Sequence, residues 1–329
     1  MYGPPASDYW KKGRVDQWEK GNSLRWHQAV VPVNLTESLP QLTAACQVAL
    51  LGFMSDEGVR RNLGRVGAAK GPKALRAALT SLPYPWSAEQ LGVWDAGDVC
   101  CLGKFLEDAQ EDLGEKVELL LDRGVTPLII GGGHEVAWGH FQGIARHMAK
   151  KKDKPSIGII NFDAHFDLRN YLDIGSSGTP FLQIAHDCER RGWAFHYLVI
   201  GIHSMGNTRA LFERAQALGV RYISLEALYE QPIPGFYTLL DEFVADKDFL
   251  YLTCCLDVFS AAFAPGVSAV NGLGLAPWHV LPLLRHLVAS GKPFSFDIAE
   301  LNPKYDIDGR TAKLAAKLLY SVVETKVQE

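Results

Sequence analysis

Short apolar runs recur along the chain, each bounded by glycine, proline or charge, and stretches with apolar positions three and four apart lie between them. Residues 47–53, 93–98, 127–130, 157–162, 197–201, 221–224, 249–257 and 293–300 read as strands, with 249–257 the longest. The spacing predicts helices over 72–79, with Pro72 in the first turn, over 104–123, from just after His134 to about 150, and after the last strand. Strands alternating with helices imply a parallel sheet covered on both faces, and near-continuous apolar strands agree. The expected fold is therefore α/β: a three-layer α/β/α sandwich around a mainly parallel, doubly wound sheet. Residues 1–40 are aromatic, polar and weakly periodic, and are expected to lie over the body as a non-repetitive arm. No repeat or linker interrupts the pattern, so one domain over 1–329 is expected.

Composition narrows the class without changing the fold. Of 329 residues, 47% are hydrophobic and 21% charged, which is ordinary for a water-soluble globular protein. A net charge of -4 implies no basic face, so nucleic acid is not an expected partner. No apolar stretch is long enough to span a membrane, and the first residues do not resemble a secretory leader. Six cysteines, two pairs of them adjacent (Cys100-Cys101 and Cys254-Cys255), do not make a disulfide framework. A cytoplasmic protein acting on a small molecule is expected.

The candidate chemistry centres on Asp163-Ala164-His165-Phe166-Asp167, at the carboxyl end of strand 157–162. Alternate side chains of an extended chain share a face, so Asp163, His165 and Asp167 are expected to point together. Carboxylate and imidazole donors suit borderline divalent ions such as Mn, Fe, Co, Ni and Zn, the plainer alternative being an exposed acidic loop. Three further strands end in polar residues, namely His134, Asp257 and Glu300, and ligands gather at the carboxyl ends of open parallel sheets. Gly131, Gly132 and Gly133 lack the spacing of a phosphate loop and read instead as a tight turn that sets His134 beside the triplet. An unpaired Asp257 closing an apolar strand would be costly, so it is expected to be a ligand or ion-paired. Cys255 would share its face in a regular strand, although a small buried hydrophobe is the plainer reading. Helix-capping or ion-pairing is the plainer reading of Glu300. His140 and His147 are expected to be surface or packed residues of the helix after His134. No nucleophile elbow is present.

Taken in order, Gly-Gly-Gly-His-Glu at 131–135, Asp-Ala-His-Phe-Asp at 163–167 and the late Leu256-Asp257 resemble the ureohydrolase superfamily of arginases and agmatinases. Residues 13–16, 55–68, 177–181 and 264–269 extend the likeness over nearly the whole chain and resemble the branch that acts in histidine degradation. The resemblance implies an arginase-like fold, a homo-oligomer and two Mn ions per subunit bridged by hydroxide. By position it implies His134, Asp163, His165, Asp167, Cys255 and Asp257 as metal ligands. It further implies hydrolysis of N-formimidoyl-L-glutamate to L-glutamate and formamide, with hydroxide attacking the amidinium carbon. Asp167 would hold the nucleophile and pass a proton to the leaving amine, and Glu300 would orient the amidinium. Arg169, Asn170, Ser177, Gly178 and Thr179 would bind the substrate's carboxylates, with Arg60, Arg61 and Arg65 as further cations. Five positions depart from the pattern: Cys255 replaces a bridging Asp, Gly133 an Asp, Ser260-Ala261 an Asp-Pro, and Ser177 a His. A thiolate is softer than a carboxylate and gives one donor atom, which disfavours Mn and favours Zn or Fe, whereas a Cys255 that stays protonated and apolar would leave one metal position weak or empty. The alternatives are a ureohydrolase acting on a guanidino compound such as agmatine or a guanidino acid, or a metal-binding relative whose activity Cys255 impairs.

Overall fold

Strands built of Val, Ile and Leu have no polar face to turn outward, so both sides of their sheet must be covered. The computed structural model describes residues 1–6, 8–16, 18–19 and 23–328. Its strands are β1 (Tyr2–Gly3), β2 (Val31–Pro32), β3 (Cys46–Met54), β4 (Leu91–Cys100), β5 (Thr126–Ile130), β6 (Ile157–Phe162), β7 (His196–Ile202), β8 (Arg221–Ser224), β9 (Phe249–Cys255) and β10 (Phe294–Ala299). They form a ten-stranded sheet in the order β1-β4-β3-β5-β10-β9-β6-β7-β8, with β2 beside β4. The pairings are parallel except at one edge, where β1 runs antiparallel to β4.

The two-residue period of a strand divides the apolar positions between two cores. In β3, Val48 and Leu50 enter one core, while Ala49, Leu51 and Phe53 enter the other. Helices Gly71–Leu79, Pro277–Val288 and Arg310–Val327 cover the first core, and Leu106–Asp122, Val136–Lys151 and Pro180–Arg191 cover the second. The result is the three-layer α/β/α sandwich expected. Among the described residues, no helix is long and apolar enough to cross a membrane.

Three expectations change. The longest strand is β4, with ten residues, because Asp95 and Asp98 stay inside it instead of marking its exit. Both carboxylates pair with the fully buried Arg76: its guanidinium donates to both oxygens of Asp95, at 2.9 and 2.8 Å, and to Asp98 at 2.7 Å. β9 stops at Cys255, and Leu256–Val258 forms a 3-10 turn, so Cys255 and Asp257 do not belong to one regular strand. β6 likewise stops at Phe162, which puts the whole Asp163–Asp167 stretch in the following loop. The arm also has more order than its composition suggested. It contributes β1, β2 and a short helix, Trp26–Ala29, and seats Trp10 on the buried cluster through an Nε1–H bond of 2.7 Å to Asp95.

Candidate metal centre

β5, β10, β9 and β6 are neighbours in the sheet, so their carboxyl ends bring His134, Glu300, the Cys255–Asp257 turn and the 163–167 loop together. A cavity of about 320 Å³ opens there, lined by His134, His165, Asp167, Cys255, Asp257 and Glu300 together with Asn62, Arg65, Arg169, Ser177 and Ser268. Asp163 is fully buried beside it.

The alternation of an extended chain does not bring the triplet together; turns in the loop do. Asp163 Oδ1 accepts the His165 backbone N–H at 2.8 Å, which curls the chain back on itself. Asp167 has a φ of 48° and Glu300 a φ of 71°, left-handed conformations that residues other than glycine rarely adopt. Strain of this kind clusters at functional sites, where the surrounding structure holds it in place.

His134 Nδ1 lies 3.0 Å from Asp163 and 2.9 Å from Asp167, and His165 Nδ1 lies 3.2 Å from Asp257 and 3.5 Å from Asp163. His134, Asp163 and Cys255 offer donor atoms within 4.8 Å of one another, and so do Asp163, His165 and Asp257. Asp163 is common to both groups. His134 Nδ1, Asp257 Oδ1 and Glu300 Oε2 are buried without a hydrogen-bond partner among the described residues, although interior polar atoms are almost always satisfied. The nitrogen, oxygen and sulfur donors of the two groups are of the kinds that fit divalent transition ions. Asp167 Oδ2 lies beside His134 Nδ1 but belongs to neither group.

Burial and close negative charge set the electrostatics. Burial pushes Glu300 up to about 8, with the carboxylates of Glu135 and Asp257 adding to the effect. Burial and Asp163 push Asp167 up to about 6. Asp163 is also buried, yet the His134 and His165 imidazoles hold it well below the usual carboxylate range. Burial and the surrounding carboxylates raise the Cys255 thiol well above its ordinary value. A coordinated cation reverses that preference, because a ligating thiol loses its proton.

The glycine run provides space rather than a left-handed turn. A Cβ on Gly132 would lie 1.8 Å from the Ser55 carbonyl oxygen, and one on Gly133 would lie 2.1 Å from Glu135 Oε2. The Glu135 carboxyl thus fills the room that a side chain at 133 would need. It accepts hydrogen bonds from the Ser55 hydroxyl at 2.9 Å and the Gly58 N–H at 3.0 Å.

The expected substrate residues divide. Arg169 is exposed at the cavity and Ser177 is buried in its wall, where it accepts a bond from Asn62. Asn170 is exposed and does not line the cavity. Gly178 supports Arg169, since a Cβ there would meet its Cδ at 2.7 Å, and its carbonyl accepts the Arg169 N–H at 2.8 Å. Thr179 faces inward and bonds to Ser176 and Gln183. Arg60 pairs with Glu57, and Arg61 with Glu57 and Glu107. Arg65 donates to the carbonyls of Val267 and Ser268 at 2.5 and 3.1 Å and lies over the Tyr305 ring. Sequence reasoning missed Asn161, which donates to Asp163 at 3.1 Å, and Thr253, which meets His134 Nε2 at 3.1 Å. Polar residues inside otherwise apolar strands are the signal that marks them.

A parallel sheet with imidazoles and carboxylates converging at the carboxyl ends of four adjacent strands defines a hydrolase built around a metal-binding cluster. The arginase family model matches residues 46–324, and the chain belongs to the arginase family. It is 48% identical to the formimidoylglutamase of Ralstonia nicotianae over 95% of this chain and 94% of that one. To the formimidoylglutamase of Clostridium tetani it is 40% identical, over 98% and 96%. The crystal structure of Trypanosoma cruzi formiminoglutamase with Mn2+ matches at a TM-score of 0.76 and 25% identity, covering 88% of this chain and 97% of that one.

Proposed function

We propose that this protein hydrolyses N-formimidoyl-L-glutamate to L-glutamate and formamide. Relatives called formimidoylglutamase, 40–48% identical over nearly the whole chain, carry this reading. The cavity agrees with it in charge. A formimidoylglutamate ion carries one amidinium and two carboxylates, and the cavity has buried carboxyls at one side and the exposed Arg169 at another. Among the described residues, no carboxylate is paired with the Arg169 guanidinium. An arginine or agmatine site would need acids where Arg169 stands.

His134, Asp163 and Cys255, with Asp167 beside His134, would hold one Mn ion, and Asp163, His165 and Asp257 the other. When bound, such ions lower the pKa of coordinated water and so supply hydroxide near neutral pH. The positive charge of the amidinium would draw Glu300 into its ionised form although burial pushes it up to about 8, and its unpartnered Oε2 would then accept hydrogen bonds from the amidinium nitrogens and fix the planar carbon for attack. Its Oε1 is tied to the His134 N–H at 3.0 Å, so the carboxyl has a fixed aim. Asp167 lines the cavity beside His134 and is placed to carry a proton. It takes a proton from the attacking water and delivers it to the glutamate nitrogen as the carbon–nitrogen bond breaks. Arg169 pairs with a substrate carboxylate, and Ser177 adds a hydrogen bond.

The test is purification without chelator, with metal counted per chain and glutamate release followed from formimidoylglutamate. Urea release from agmatine without glutamate release from formimidoylglutamate would reject the reading. Arg169→Met is expected to raise KM by roughly 10- to 100-fold with little change in kcat, the size of one charge-assisted hydrogen bond.

A further inference from the structure

A second polar cluster lies one layer below the cavity, inside the sheet, in a place where apolar side chains would be expected. Asp297 in β10, Tyr251 and Thr253 in β9 and His140 of the helix Val136–Lys151 are all fully buried. Asp297 Oδ2 accepts the Tyr251 hydroxyl at 2.6 Å and faces His140 Nδ1 at 2.7 Å. The other nitrogen of His140 meets the Ser295 hydroxyl oxygen at 2.5 Å, and Ser295 spends its own hydrogen on the Pro127 carbonyl at 3.1 Å. Ser295 therefore accepts from the Nε2–H of His140. Asp297 Oδ1 accepts the Thr253 hydroxyl at 2.5 Å.

The direction of the last bond decides what happens at the cavity. A threonine hydroxyl has one hydrogen, and Thr253 gives it to Asp297. The Thr253 oxygen, 3.1 Å from His134 Nε2, is left as an acceptor, so Nε2 must carry the proton. A neutral imidazole protonated at Nε2 has its lone pair on Nδ1, the atom that lies beside Asp163 and Asp167. We propose that Asp297, acting through Thr253, is a positioning residue that fixes the tautomer and ring orientation of His134 and so sets the affinity of the His134 metal position. Outer partners of this kind commonly carry a factor of 10–100 in metal affinity. The proposal rests on the metal-centre reading above but concerns residues that touch neither substrate nor the donor atoms.

An isosteric change gives the sharpest case. In Asp297→Asn the amide can turn its NH2 group toward Thr253, whose hydroxyl then donates to His134 Nε2. His134 is driven to carry its proton on Nδ1, where the metal must bind. Thr253→Val removes the acceptor altogether, and Thr253→Ser keeps it.

The experiment uses the full chain, stripped of metal and titrated with Mn2+ while free Mn2+ is read by electron paramagnetic resonance. In parallel, nitrogen NMR of histidine-labelled, metal-free protein reads the tautomer of His134 at a pH alkaline enough to neutralise the ring, since burial is outweighed by the Asp163 and Asp167 carboxylates, which raise its pKa well above the ordinary value. One of two Mn2+ sites is expected to weaken about 10- to 100-fold in Asp297→Asn and Thr253→Val. Thr253→Ser should stay within about threefold of wild type, and the His134 proton should sit on Nε2 in wild type and Thr253→Ser alone. Wild-type Mn2+ affinity in Asp297→Asn, equal weakening of both sites, or an Nδ1-protonated His134 in the wild type would each overturn the proposal. Wild-type protein that binds no Mn2+ would instead overturn the metal-centre reading, and the tautomer would still be measured. If Thr253→Val does not fold, the comparison of Asp297→Asn with Thr253→Ser decides.

Discussion

At the scale of single residues, Cys255 carries the main departure from the donor set its family implies. It sits 1% exposed among Asp163, Asp257 and Glu300, surroundings that keep a free thiol protonated and suit a thiolate only when a cation is present. A sulfur gives one soft donor where a carboxylate gives two hard ones. Cys255→Asp is therefore expected to raise Mn2+ affinity and lower Zn2+ affinity, each by about tenfold or more, read by metal retained per chain after dialysis. Unchanged selectivity would mean that Cys255 is a packing residue. Gly133 and Glu135 form a second exchange: the carboxyl comes from two residues later and folds back over the glycine. Gly133→Asp alone is expected to cost roughly 2–3 kcal/mol through overpacking against Glu135 and Val59. Adding Glu135→Ala should recover most of that loss, measured as the urea midpoint. The ligand triplet, His134, Asp257 and Glu300 were legible as polar ends of apolar strands. Thr253, His140 and Asp297 were not, because one polar residue within an apolar run gives no sign of its partner across the sheet.

At the scale of elements, the alternation of strands and helices was legible because each strand's apolar run and each helix's spacing are local. The edges were not. β1 and β2 have two residues each, too few for any period, and β4 was cut short because two acids inside a strand read as its end. What keeps those acids inside is Arg76, about twenty residues away, whose charge has no meaning until the helix Gly71–Leu79 packs on the sheet. Arg76→Leu should destabilise the protein by about 3–5 kcal/mol, since it leaves two carboxylates buried without a cation. Denaturant unfolding measures the loss, and a change under 1 kcal/mol would show that water reaches the cluster. Beside the cavity, the short helix Glu57–Arg61 is held differently. The Arg60 guanidinium, and then Arg61, hold the Glu57 carboxyl below its ordinary 4.5, and Arg61 also reaches the Gly175 carbonyl at 3.0 Å. A depressed folded value means the unfolded chain binds more protons, so this contribution is complete above about pH 4.5 and lost as pH falls through the folded value. The pair is partly solvated, so Glu57→Gln should cost about 0.5 kcal/mol at pH 7, and the gap in urea midpoint should close on acidification.

At the scale of the whole molecule, the sheet gathers charge that it does not neutralise. Asp257 and Glu300 are both pushed upward by burial and by other carboxylates, so without a cation each weakens the fold when ionised. A ligand that binds only the native state stabilises it by about 2.7 kcal/mol at a hundred times its Kd. For a chain of 329 residues that corresponds to a rise in Tm of roughly 4 °C. Protein stripped by a chelator should therefore melt about 4 °C below the same protein reloaded with Mn2+. The Asp257→Asn variant separates charge relief from general tightening. It removes one of the disfavoured carboxylates, so the stripped variant should melt no lower than stripped wild type, while most of its Mn2+-dependent rise should disappear. A stripped variant that melts well below stripped wild type would mean that Asp257 stabilises the fold by bonding to His165, 3.2 Å away, and that the cluster does not depend on a cation for its stability.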